Sequence, residues 1–386
     1  MPALVALDVP AGPRFVDALR AVWDTGDAAA PLDPRLPPAA ARKLMDALSP
    51  GFIMNTDLKR TAISGSAPVE AGDALVVATS GSTGAPRGVV LTHDAIEASA
   101  RASSAALGVD PTTDTWLACL PLAHIGGLSV VTRAILTDTP LILHERFAAA
   151  AVDAAVDQGA TLVSLVATAL LRIRAERFRR ILLGGAAAPE GLPENVLTTY
   201  GMTETASGVV YDGRPLQGVD IAIRTIAGAS IDDEDAGTGV GEILLRGPML
   251  LRAYRDGTDP RVTNGWLPTG DAGYLDADGR LHVIGRIGDV IVTGGEKVWP
   301  AAVEQALARH QAVEAVAVAG RPDPEWGQRV VAFVVPVDPT SPPGLDELRE
   351  TVRGSMAPWA APKELVLLES LPRTPNGKLS RTDLPA

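Results

Sequence analysis

Between about residues 72 and 200 the chain alternates short apolar runs with amphipathic stretches. The runs at 75–79, 116–122, 141–144, 161–166 and 180–183 are continuous and rich in Val, Leu and Ile, which predicts buried strands. Helical spacing at 92–107, 125–137, 147–157 and 168–177 predicts helices between them. Such alternation predicts a mostly parallel sheet covered by helices, with any ligand beyond the carboxyl ends of the strands. After about residue 215 the segments shorten. Residues 274–283 predict a hairpin with Asp278-Gly279 in its turn. Strands at 290–293, 313–319, 330–335 and 364–368 then interleave with helices near 300–310 and 345–356, and Pro300 suits a first helical turn. The expected fold is α/β, with layered sheets and a β-rich part in residues 1–286 and a small α+β domain in residues 287–386.

Composition narrows the possibilities. A chain of 386 residues with 46% hydrophobic content supports more than one core. A net charge of −12 opposes a nucleic-acid partner, whose phosphates demand a basic surface. The single cysteine, Cys119, excludes a disulfide framework and a cysteine-rich metal site. Residues 1–20 lack the features of a signal peptide, and no apolar window is long enough to span a membrane. A cytoplasmic setting without membrane partners is the expectation.

The strongest local motif is Thr79-Ser80-Gly81-Ser82-Thr83-Gly84-Ala85-Pro86-Arg87-Gly88. Its glycines let backbone approach a ligand, while hydroxyls, free amides and the Arg87 cation suit an anion with several oxygens. The Walker spacing is absent, and a plain surface loop is the competing reading. Tyr200-Gly201-Met202-Thr203-Glu204 offers a ring for a base, a hydroxyl for phosphate and a carboxylate for Mg²⁺. Asp271, after a turn glycine, could accept bonds from ribose hydroxyls. Arg286 in Gly-Arg-x-Gly-Asp and Lys378 in a Pro-Asn-Gly-Lys turn complete the set. Each segment alone reads as a turn; their joint order is what carries weight.

In this order the five segments resemble the adenylate-forming superfamily of acyl-CoA synthetases, peptide-synthetase adenylation domains and luciferases, from about residue 72 onward. The resemblance implies a two-step reaction using ATP, Mg²⁺ and a small carboxylic acid. The acid takes AMP from ATP, and a thiol then displaces the AMP. It implies that Thr79, Ser80, Gly81, Ser82, Thr83, Gly84 and Arg87 hold phosphates, with Gly184, Gly185, Ala186, Tyr200 and Gly201 around the adenine. Asp271 and Arg286 would meet the ribose, Thr203 and Glu204 the phosphate and the magnesium, and Lys378 the reacting centre. Two positions depart from the pattern: Arg87 stands where the loop usually has lysine, and Gly288 occupies the pivot where Asp or Lys is usual. The resemblance leans toward a homodimer.

Coenzyme A is the expected thiol, because Gly294-Gly295-Glu296-Lys297 resembles the loop that lines the pantetheine tunnel. The short segment before the phosphate motif, residues 120–128 and residues 211–216 resemble the 2-succinylbenzoate–CoA ligases, especially short actinobacterial forms. His124, Arg133 and Ser207 would then line the acyl site. For His124 a satisfied core histidine stands as an alternative. Arg133, set amid apolar residues, must either pair with a protein carboxylate or meet a second carboxylate on the substrate. A ligase for another aryl or medium-chain acid, and a carrier-loading adenylation enzyme, remain alternatives.

Overall fold

A computed structural model describes residues 1–80, 86–185, 191–225, 239–373 and 379–385. The chain forms two compact units, Met1–Ile221 with Leu245–Leu267, and Ala222–Leu244 with Pro268–Ala386.

The first unit contains two seven-stranded sheets. One runs in the order Ala253–Tyr254, Pro86–Thr92, Asp73–Ser80, Ala28–Pro31, Leu4–Leu7, Phe52–Met54 and Arg60–Ala62. Leu4, Ala28, Ala30, Val76 and Val90 form its core with Leu44 and Leu48 from the helix Pro38–Leu48. The run at 75–79 therefore lies between Ala28–Pro31 and Pro86–Thr92, apart from the apolar runs at 116–122, 141–144, 161–166 and 180–183. Residues 86–92 add a strand that the sequence pattern does not announce, and the helix expected at 92–107 follows it as His93–Leu107. Val89-Val90-Leu91 is β-branched and apolar enough to pair antiparallel with Val77, Val76 and Leu75. Gly88 admits the close packing, since a Cβ there would lie 2.8 Å from both Leu48 and Val76 side chains.

The other sheet has the order Arg214–Pro215, Ser207–Tyr211, Val196–Met202, Arg180–Leu183, Leu162–Leu165, Trp116–Ala118 and Leu141–Leu143. Its five strands from Val196–Met202 to Leu141–Leu143 are parallel, as the alternation predicts. The helix His93–Leu107 precedes these strands in sequence, and Ile125–Leu136 and Ala149–Asp157 lie between them. Thr92 caps the first by accepting from Ala95 N at 3.1 Å, and left-handed Gly108 ends it. The helix expected at 168–177 is instead two short turns, Ala167–Leu170 and Ala175–Arg177. Asn195 takes part in that break by donating to the carbonyls of Ala175 and Phe178 at 2.8 and 2.7 Å.

In the second unit a four-stranded sheet runs Asp220–Thr225, Gly241–Arg246, Leu267–Leu275, Leu281–Arg286. A five-stranded sheet follows, built from Glu296–Val298, Ile291–Thr293, Gly327–Pro336, Val313–Asp323 and Glu364–Leu367. Val303 and Leu307 of the helix Pro300–Leu307, with Leu348 and Val352 of Leu345–Arg353, share a core with Val318, Val330 and Val334. Among the described residues no helix is long and apolar enough to cross a membrane.

Candidate active site

Two adjacent parallel strands of the first unit, Arg180–Leu183 and Val196–Met202, end in the glycines and acids that the sequence singles out. Gly184 leaves its strand with its N–H on Leu165 O at 3.1 Å, and a Cβ there would lie 2.7 Å from Thr199 Oγ1. Gly185 follows with φ +90, a conformation side chains resist. Across the next strand a bulge falls between Tyr200 and Gly201. A Cβ on Gly201 would stand 2.2 Å from the Ser207 carbonyl, so only glycine fits. Thr203–Thr205 then forms a single tight turn. The buried Thr205 hydroxyl locks it, accepting from Met202 N at 2.9 Å and reaching Ser207 O at 2.7 Å.

That turn presents Glu204, which meets residues the sequence reading missed. The Tyr254 hydroxyl donates to Glu204 Oε1 at 3.1 Å, and Leu251 N–H donates to the Glu204 carbonyl at 2.7 Å. The Arg87 guanidinium lies 3.9 Å from the centre of the Tyr254 ring and reaches Asp256 at 3.2 Å. Burial, reinforced by Glu204, pushes the Tyr254 hydroxyl up to about 12, so it remains a donor at neutral pH. The Thr79 hydroxyl lies 3.4 Å from the Arg87 carbonyl across the paired strands. Thr79 and Ser80, the first two residues of the phosphate motif, end the strand Asp73–Ser80. Gly81, Ser82, Thr83, Gly84, Ala186 and Lys378 lie outside the described residues.

Among the described residues no cluster of three ligating side chains could hold a metal unaided. A lone carboxylate such as Glu204 nevertheless fits Mg²⁺, which keeps its waters and is held mainly by substrate phosphates.

A second group of side chains surrounds the helix Ile125–Leu136. Arg133 is 1% exposed; its Nη2 donates to Ser207 Oγ at 3.1 Å, and Ser207 donates onward to Ser129 at 3.3 Å. Trp116 covers the guanidinium at 4.8 Å. Among the described residues Arg133 Nε and Nη1 are buried without a hydrogen-bond partner, and no carboxylate pairs with the side chain. Burial holds its pKa below the usual guanidinium value. His124 caps the start of the same helix, about 13 Å away along the axis. Its Nε2 lies 3.6 Å from Asp33 Oδ2, and Arg35 holds Asp33 through bonds of 2.8 and 2.6 Å. Asp33 comes from the amino-terminal segment, where nothing local marks it.

In the second unit Asp271 and Arg286 face each other across antiparallel strands, Nε to Oδ1 2.9 Å, with Arg286 Nη1 also donating to Thr269 O at 3.0 Å. Gly288 sits in the turn Ile287–Asp289, where an added Cβ would touch nothing. Gly294 and Gly295 form the tip between Ile291–Thr293 and Glu296–Val298, with φ +60 and +88. Gly294 bonds Trp326 O at 2.8 Å and faces its ring, whereas Gly295 opens to empty space.

The chain as a whole resembles known proteins. The AMP-binding enzyme family matches residues 65–255, and the AMP-binding enzyme C-terminal domain matches residues 302–378. A 2-succinylbenzoate–CoA ligase of Bacillus cereus is 37% identical over 335 residues, which span 80% of this chain and 69% of that protein. Its counterpart in Listeria monocytogenes is 33% identical over 359 residues, spanning 88% and 73%. The o-succinylbenzoate CoA synthetase of Bacillus subtilis, solved with its acyl-adenylate intermediate, superposes with a TM-score of 0.85 at 30% identity, covering 99% of this chain and 87% of that one. The same enzyme solved with ATP and magnesium ion gives 0.84 at 30% identity, covering 99% and 89%. The chain therefore belongs to the AMP-binding, adenylate-forming enzymes. Within that superfamily it is an acid–CoA ligase of the AMP-forming family.

Proposed function

We propose that this ligase activates the succinyl carboxylate of 2-succinylbenzoate and transfers the acyl group to coenzyme A, a step of menaquinone synthesis. The observation that carries the reading is Arg133: a buried guanidinium with two unpartnered nitrogens and, among the described residues, no protein carboxylate. Burying such a cation is costly unless an anion completes it. A substrate with one carboxylate to react and a second to be held supplies that anion, directly or through water. Ser207 and Ser129 add hydroxyls beside it, and His124 lies toward the other end of the same helix.

The remaining residues divide the two half-reactions. Residues 79–88, with Arg87, bind the β- and γ-phosphates of ATP, and Tyr200, Gly201, Gly184 and Gly185 frame the adenine. Glu204 would hold Mg²⁺, which would neutralise charge on the departing pyrophosphate, and Thr203 would bond a phosphate oxygen. A succinyl oxygen attacks the α-phosphorus, the bond to pyrophosphate breaks, and Lys378 places a cation where charge develops. Asp271 and Arg286 hold the ribose. Rotation at Gly288 of the domain 287–386 then brings Gly294 and Gly295 to the coenzyme A thiol, whose sulfur attacks the acyl carbon and releases AMP.

CoA-dependent AMP release with 2-succinylbenzoate, compared with benzoates and fatty acids, tests the reading. Strong preference for 2-succinylbenzoate supports it. Turnover only with another acid leaves the ligase chemistry and removes the assigned substrate; acylation of a carrier protein but not of free coenzyme A removes the acceptor.

A further inference from the structure

Tyr254 joins two groups that have separate tasks in the proposed reaction. Its hydroxyl holds one oxygen of Glu204 at 3.1 Å, while its ring carries the Arg87 guanidinium at 3.9 Å. The ring cannot drift. Tyr254 pairs with Val89 on the strand that also carries Arg87, and its N–H donates to Thr258 O at 2.8 Å. The next residue, Arg255, is anchored on the carbonyls of Leu48 and Pro68 at 2.9 and 2.6 Å.

We propose that Tyr254 is a positioning residue for the metal–triphosphate: it sets the Glu204 carboxylate toward the ion and keeps the Arg87 cation apart from it. This rests on the roles given above to Glu204 and Arg87. A glutamate side chain has several rotamers, and a donor on one oxygen leaves the other oriented for a cation. Among the described residues Glu204 has no cationic partner, while the Arg87 cation is taken up by the Tyr254 ring at 3.9 Å and by Asp256 at 3.2 Å. Tyr254 thus meets both groups, the carboxylate through its hydroxyl and the guanidinium through its ring face. A flat, delocalised guanidinium suits a ring face better than a compact, strongly hydrated ammonium, which fits arginine at a position where related chains carry lysine.

The test measures Mn²⁺ binding by electron paramagnetic resonance, with a non-hydrolysable ATP analogue, in the wild type, Glu204→Gln, Tyr254→Phe and Asp256→Asn. Metal-free affinity for the analogue and the melting temperature are recorded for each. Tyr254→Phe keeps the ring and loses the hydroxyl; Mn²⁺ binding should weaken about tenfold with metal-free affinity and melting temperature unchanged. Asp256→Asn removes the charge that pairs with Arg87 while leaving an amide oxygen to accept from Thr258 N, and it should lower metal-free affinity while sparing the response to Mn²⁺. If Glu204→Gln weakens Mn²⁺ binding and Tyr254→Phe does not, Tyr254 has no positioning role and the role of Glu204 stands. If Glu204→Gln has no effect, the metal role of Glu204 fails and the proposal fails with it.

Discussion

Arg133 and Ser207, 74 residues apart, meet at 3.1 Å through a charged hydrogen bond that leaves most of the guanidinium unsatisfied. A buried cation of this kind is a cost to the free protein and an asset once an anion binds. Arg133→Met should therefore hold or raise the melting temperature. For 2-succinylbenzoate it should raise KM about 100-fold, with little change for the analogue lacking the benzoate carboxylate. Steady-state kinetics with both acids decide it; equal losses would remove Arg133 from substrate recognition.

Lys378→Ala should slow adenylation by about 1,000-fold or more, because the cation serves the developing charge of that step alone. Thioester formation from synthetic acyl-adenylate should be far less affected. Pyrophosphate exchange and single-turnover thioester formation separate the two, and equal losses would contradict a division of labour between two conformations.

At the loop between Ile291–Thr293 and Glu296–Val298, neighbouring glycines should respond differently. Alanine at Gly294 would press its Cβ to 2.6 Å from the Trp326 ring at φ +60, so the loop must move. At Gly295 the space is open and only backbone strain at φ +88 opposes a side chain, costing about 1–2 kcal/mol. Gly295→Leu should thus fold, retain pyrophosphate exchange and lose CoA-dependent AMP release.

Gly201→Ala should be among the most damaging small substitutions. Its Cβ would come within 2.2 Å of Ser207 O and 2.6 Å of Gly208 Cα, both backbone atoms that cannot step aside. Destabilisation of about 3 kcal/mol is expected from such overpacking, read by urea unfolding.

Cys119 offers a probe of opening. Burial pushes its thiol up to about 12, so below that pH the folded protein holds it neutral and unreactive. Alkylation by iodoacetamide at pH 8 should track unfolding and accelerate in denaturant. Fast labelling of the native protein would show that the strand end at 119 is open to solvent.

Much of the fold is legible because the features that build it are local. The parallel strands at 116–118, 162–165 and 180–183 show as apolar runs, since both of their faces are covered. Pro86–Thr92 escapes the same reading because its seven residues overlap a glycine-rich motif and end at a helix cap, and its strand character depends on pairing with Asp73–Ser80. Tyr254 escapes for a related reason: a strand of two residues has no period to detect. Asp33 belongs to a segment with no motif at all, and only folding sets it 3.6 Å from His124.

The amino-acid order by itself determines the alternation of strands and helices, the glycines at 184, 185, 201, 294 and 295, and the sequence of acids and cations that marks an adenylate-forming enzyme. The first two follow from backbone dihedral preference and side-chain periodicity over a few residues, and the third is read from resemblance to a family. Tertiary structure alone decides which distant groups meet: Tyr254 with Glu204 across 50 residues, Arg133 with Ser207 across 74, and two separate sheets where continuous alternation suggested one. A single contact between side chains far apart in the chain leaves no repeat in the sequence; it exists only once strand pairing and core packing have brought the two backbones together.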